Sequence, residues 1–175
     1  MSEPLPTGMP DDRAIWPILS ELAACLCAEL TRDGAPSPCF CGVVPGNEIP
    51  MDAPGSCDDC GAGYVRLEEG FPSTQRFPEP DSAATCRSVL AFSVVVGVAR
   101  CAPTGDTDYP PSQEELAEFS RQVFADMAAI RRAIRCCLTD DKFEGIQYAL
   151  GFWTPIVPEG GVGGGEWRLT IGEPV

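Results

Sequence analysis

Residues 88–100 read SVLAFSVVVGVAR, and the alternation in this stretch decides the fold class. Leu90, Phe92, Val94, Val96 and Val98 point to one side. Ala91, Ser93, Val95, Gly97 and Ala99 point to the other. Successive Cβ atoms of a strand face opposite sides of its sheet, so period-two alternation over this length predicts a strand. Its large face is β-branched and aromatic, which suits a half-buried pleated surface. No charge interrupts it between Arg87 and Arg100. We expect the central strand of a sheet with its large face under a helix. The small-residue face implies close packing there, or a strand that runs past the body of the domain.

Upstream, Ile15, Leu19, Leu22, Leu26 and Leu30 recur at helical spacing and predict a helix over about 13–32. Asp11 and Asp12 offer its N-cap, and Pro17 is confined to the first turn, where its missing N–H matters least. Gly34 suits the position just beyond the helix, and Pro36 and Pro38 forbid its continuation. CFCGVV (39–44) and YVRLE (64–68) read as strands. Residues 45–63 are turn-rich, and the Pro-rich 70–85 reads as a projecting loop.

Downstream, Ser112 and Glu115 form a capping-box pattern before Leu116, Phe119, Val123, Met127, Ile130, Ile134 and Cys137, the cleanest amphipathic helix of the chain. Phe92, Val94, Val96, Phe119, Val123, Met127 and Ile130 are the expected helix-on-sheet core. Residues 146–157 and 166–171 read as strands, joined by PEGGVGGG (158–165) as a mobile hairpin tip. No Lys-Ser/Thr follows this glycine run, so it is not a phosphate loop. The order predicts an α+β fold, a mostly antiparallel sheet with two amphipathic helices on one face. We expect residues 1–12 to be a flexible arm and 13–175 a single domain with a Cys-rich insert at 39–63.

The 175 residues carry 12 basic and 26 acidic side chains, a net charge of −14. That argues against a nucleic-acid grip, which needs clustered Lys and Arg. No apolar run reaches membrane-spanning length, and the polar, acidic MSEPLPTGMPDDR does not read as a secretory leader. There are ten cysteines and no histidine. The lack of histidine removes the commonest general base, the Ser-His and Cys-His pairs and every mixed Cys/His zinc site. Adjacent carboxylates such as Asp58/Asp59 and Glu114/Glu115 read as solvated charge, and Arg131, Arg132 and Arg135 complement a helix C-terminus. No residue is assigned to catalysis, and the chain is expected not to be an enzyme.

Cys39, Cys41, Cys57 and Cys60 are the candidate metal ligands. C-x-x-C has ordinary zinc spacing, C-x-C is tighter, and the apolar-poor loop between them would gain from a staple. Three readings stay open: a structural zinc, disulfides, or unlinked thiols. A redox role for Cys57-Asp-Asp-Cys60 is disfavoured, because the flanking aspartates oppose a thiolate. Cys25, Cys27, Cys136 and Cys137 read as small buried hydrophobes within helices.

Taken in order, these elements resemble the tail-terminator proteins of long-tailed phages, over about residues 13–172. FPEPD (77–81), ARCAP (99–103), DMAAIRRAI (126–134) and PEGGVGGGEW (158–167) resemble neck proteins of actinobacterial siphophages. The insert around 39–60 departs from the simplest members. The resemblance implies a homo-oligomeric ring, usually a hexamer, on top of the tail tube. Its implied partners are the tail tube protein and the head–tail stopper or connector, with no membrane, and its place is the virion neck after assembly in the host cytoplasm. DNA would pass the lumen without specific binding. On this reading Glu68, Glu69, Glu79 and Asp81 are expected to line the lumen, and Arg66, Arg76, Arg87 and Arg100 to lie at subunit seams. Two other readings are a different neck component and a small cytosolic zinc- or thiol-binding module without catalysis.

Overall fold

The structure, a computed structural model, describes residues 15–32, 37–46, 61–74, 76–83, 88–105, 110–139, 143, 145–159 and 161–173. The expectations for residues 1–12, for Asp11, Asp12, Gly34 and Pro36, and for most of the Cys-rich insert lie outside them.

Among the described residues two helices and five strands follow in the order α1 (Trp16–Leu30), β1 (Phe40–Val44), β2 (Gly61–Ser73), β3 (Val89–Cys101), α2 (Gln113–Leu138), β4 (Tyr148–Glu159) and β5 (Val162–Gly172). The strands form one sheet in the order β1-β2-β3-β5-β4. The alternating stretch is its central strand. Three of the four pairings are antiparallel, and β1 lies parallel to β2. The fold is therefore α+β with a mixed, mostly antiparallel sheet.

The two faces of β3 part as the alternation predicts. Phe92, Val94, Val96 and Val98 join one core with Leu19, Leu22 and Leu26 of α1, Ile130 and Ile134 of α2, Val65, Leu169 and Ile171. Both helices thus cover one side of the sheet. All five apolar positions that predicted α1 are buried, and Pro17 stands in its first turn. Its N-cap is Ile15, with no side-chain cap hydrogen bond.

On the other side, Val95 and Ala99 form a smaller cluster with Val44 and Tyr64, against which Phe40, Ile156 and Val162 pack. The fully buried Tyr64 ring lies over Gly97, where an added Cβ would fall 2.5 Å from its hydroxyl oxygen. The small-residue face is explained by close packing of this ring.

The capping box of α2 is formed. The Ser112 N–H donates to Glu115 Oε2 at 2.8 Å, and the Glu115 N–H donates to Ser112 Oγ at 3.2 Å. The apolar stripe of α2 is deeply buried only in its second half, at Ile130, Ile134, Cys137 and Leu138. Leu116 is exposed, and Phe119, Val123 and Met127 are half-buried. The expected core is corrected here. The first half of α2 runs beside the β4–β5 hairpin, where the Phe119 ring lies over Gly163.

Two loop expectations are also corrected. Strand β2 continues to Ser73 past an irregularity between Leu67 and Glu69. Only the segment beyond it turns, with Ser73 bridging Pro80 and a cis Phe77–Pro78 peptide. The run Gly163–Gly165 is not a hairpin tip. It is buried within β5, opposite Arg100, Ala99 and Val98. A Cβ on Gly165 would lie 2.0 Å from the Trp153 ring, so its hydrogen is what admits the indole.

Candidate functional site

Three groupings in the described residues carry chemistry: a charged ladder, a set of bonded cysteines and an apolar sheet edge.

The ladder lies on the helix-free face, across β2, β3 and β5. Arg66 and Arg168 flank Val95, and Tyr64 and Glu166 flank Gly97. The registers bring opposite charges into diagonal reach. Arg66 Nη2 pairs with Glu166 Oε2 at 3.3 Å, and the Tyr64 hydroxyl donates to the same oxygen at 3.1 Å. Arg168 Nε and Nη2 both reach Glu68 at 2.6 Å, and the Ser93 hydroxyl donates to Glu68 at 3.0 Å. Burial pushes the Tyr64 phenol up, reinforced by the adjacent Glu166 carboxylate. Burial also pushes the Glu68 carboxyl up, but the Arg168 and Ser93 hydrogen bonds outweigh it and hold the group below its ordinary value.

These pairings revise the charge expectations. Glu68 is paired within its own sheet rather than free to repel a passing polyanion. Arg66 is buried against Glu166. Arg100 is buried against Asp126, with Nε–Oδ2 at 2.6 Å and Nη2–Oδ1 at 2.8 Å. Both arginines make buried ion pairs within the chain. Asp81 accepts from the Ala83 N–H and the Ser88 hydroxyl, while Glu69, Glu79 and Arg76 are exposed. Arg87 lies outside the described residues.

Helix α1 carries cysteines on successive sides. Cys25 is bonded to Cys137 of α2, and Cys27 to Cys41 of β1. Cys39 and Cys101 are disulfide-bonded as well. Among the described residues Cys136 is a free thiol, and it is exposed. Of the four candidate ligands, Cys39 and Cys41 therefore hold their sulfurs in disulfides, where no thiolate remains for a metal. Cys57 and Cys60 lie outside the described residues. Cys25, Cys27 and Cys137 are staples rather than inert hydrophobes, and Cys136 is not buried. The pairing of Cys25 with Cys137 had a signal: each stands on its helix's apolar stripe, beside Leu22 and Leu26 or Ile134 and Leu138.

At the end of α2, Arg131, Arg132, Arg135, Cys136 and Thr139 line a shallow hollow of about 290 Å³. Arg132 Nε is committed to Glu29 at 2.8 Å. The rest of the cluster complements the helix dipole, as its position predicts.

The apolar edge is β4. From Tyr148 to Pro158 it holds no charged residue. Phe152 is 86% exposed and Val157 66%. The inward-facing Trp153 stacks at a tilt on Trp167, ring centroids 5.9 Å apart, and the Trp167 indole N–H donates to the Met127 carbonyl. Outside this strand, Phe124 and Leu116 stand exposed on the first half of α2. Among the described residues no helix is long and apolar enough to cross a membrane.

No protein-family model matches the chain, and no curated protein is significantly similar to it.

Proposed function

We propose that this chain is a structural protein of a phage neck, a tail terminator. Its copies form a ring on the tail tube, stop tube polymerisation and join the tail to the head-completion proteins. The observation that carries this reading is the outer strand β4, uncharged from Tyr148 to Pro158, with Phe152 turned to solvent. An edge strand presents unpaired N–H and C=O groups, and folded chains usually blunt such edges with charge. Here Pro155, Pro158 and two irregularities, between Leu150 and Trp153 and between Ile156 and Glu159, interrupt it. An exposed apolar edge of this length suits a permanent partner, and a second copy of the chain is the simplest one. Strand β1 closes the opposite end of the sheet. Head-to-tail contacts between unlike edges generate rings when the rotation closes.

The test has two parts. Light scattering behind a sizing column should give a discrete oligomer of ring size. Labelled antibody should then mark intact particles at the head–tail junction. A monomer at high concentration sinks the ring, and label elsewhere on the particle sinks the terminator assignment while leaving another virion role.

A second reading rests on the cysteines: a small thiol-stapled binding module without catalysis. A monomer whose ligand binding depends on its thiols would favour it.

A further inference from the structure

Glu21 and Cys25 stand four residues apart on α1 and share one face of that helix. Cys137 meets them from the last turn of α2. One ligand atom from each lies within 4.8 Å of the other two. The Cys137 sulfur is also 3.4 Å from the Glu21 carbonyl oxygen. Cys137 is buried, whereas Glu21 and Cys25 are half-buried, so the group is partly open to solvent. In the oxidised chain the two sulfurs are bonded to each other.

We propose that reduction of Cys25–Cys137 turns this seam into a three-ligand site for a thiophilic divalent cation of the Zn²⁺ class. Two thiolates and one carboxylate make a donor set that zinc accepts, with a solvent water in the fourth place. Tetrahedral bonds of about 2.0–2.3 Å set such ligand atoms roughly 3.5–3.8 Å apart, which small side-chain rotations reach from the observed spacing. Soft sulfur donors select against Mg²⁺ and Ca²⁺, which prefer all-oxygen sets. Without a cation, reduction would leave three anion-forming groups crowded at the seam and no cross-link between the helices. With one, the helices stay joined in either redox state, because metal binding to a folded site adds to folding free energy. This inference does not rest on the neck assignment.

The step balances with a phosphine as reductant. The phosphine supplies two electrons and takes oxygen from water, giving the phosphine oxide and two thiols. The cation then displaces one proton from each thiol to the buffer and binds both sulfurs and the Glu21 carboxylate.

The test uses the full chain, reduced with tris(2-carboxyethyl)phosphine under inert gas and titrated with Co²⁺. Thiolate-to-cobalt charge transfer is the signal, and far-ultraviolet circular dichroism checks the fold. We expect Cys25→Ser to lose one bound Co²⁺ per chain, and Glu21→Gln to weaken that site by at least about tenfold. Cys27→Ser, which frees the neighbouring staple, should keep the Glu21-sensitive component. If Cys25→Ser fails to fold, Glu21→Gln decides, since it retains both cysteines. Folded Glu21→Gln protein that titrates like the wild type overturns the proposal. So does an unreduced chain that gives the same thiolate band.

Discussion

The Arg100 guanidinium forks onto the Asp126 carboxylate with both groups out of solvent, and this pair ties the central strand to the middle of α2. The two residues are 26 positions apart. A buried pair of this kind is hard to lose in halves, because the surviving charge loses its opposite charge while out of solvent. Asp126→Asn should destabilise the chain by about 3–5 kcal/mol in urea unfolding. A loss under about 1 kcal/mol, the scale of an exposed pair, would show that water replaces the carboxylate at little cost.

The uneven burial of α2 predicts uneven mutational costs. Ile130 is fully buried in the main core, and Ile130→Ala should cost about 2–5 kcal/mol. Phe119, half-buried beside Gly163, should cost less than Ile130 despite its larger side chain. The reverse order in denaturant midpoints would mean that the first half of α2 packs more deeply than described.

The ladder on the helix-free face makes stability depend on pH at both ends. Glu68 has a lowered folded value, so its contribution is present above the unfolded carboxylate value of about 4.3 and is lost as pH falls through the folded one. Tyr64 has a raised folded value, so its contribution is present below the unfolded phenol value of about 10 and is lost as pH rises towards the folded one. Glu68→Gln should flatten the acid limb of melting temperature against pH, and Tyr64→Phe the alkaline limb. If each variant leaves its own limb unchanged, other groups set these slopes.

Phe152 is 86% exposed within its own chain, so Phe152→Glu should leave the unfolding free energy of the monomer within about 0.5 kcal/mol of the wild type, as surface changes do. If β4 is an assembly edge, the same change should convert the oligomer to monomer on a sizing column. A variant that still assembles would place the contact elsewhere, for instance on the exposed Phe124 of α2.

Local patterns in the chain reached some of this architecture and not the rest. The alternation of 88–100, the α1 stripe and the Ser112/Glu115 box are short-range signals, and each sits where its period and cap chemistry place it. The glycine run misled because its meaning lies on a different strand: Gly165 is small for the sake of Trp153. The depth of α2 escaped for a related reason, since helical periodicity gives a face and not how much sheet lies beneath it. Arg66 and Arg100 looked available for a partner because their carboxylates are far away in sequence. The stripes place Cys25 and Cys137 on apolar helix faces, but which faces meet is a tertiary fact that spacing along the chain does not contain.

Helix α1 is fastened twice within one turn, by Cys25 to α2 and by Cys27 to the edge strand β1. An amide proton exchanges with solvent only when its hydrogen bond opens, and most proteins open in pieces that differ in free energy. A helix bolted to two other elements has no small opening of its own. In the oxidised chain the amides of α1 should exchange at the rate of the deepest core, alongside those of β3. Once both bonds are reduced and no cation bridges Cys25 and Cys137, α1 should become a separate, faster-exchanging unit while β3 keeps its protection. The fold then has one cooperative body when oxidised and two when reduced and metal-free, and the redox state and metal content of its surroundings decide which part of it yields first.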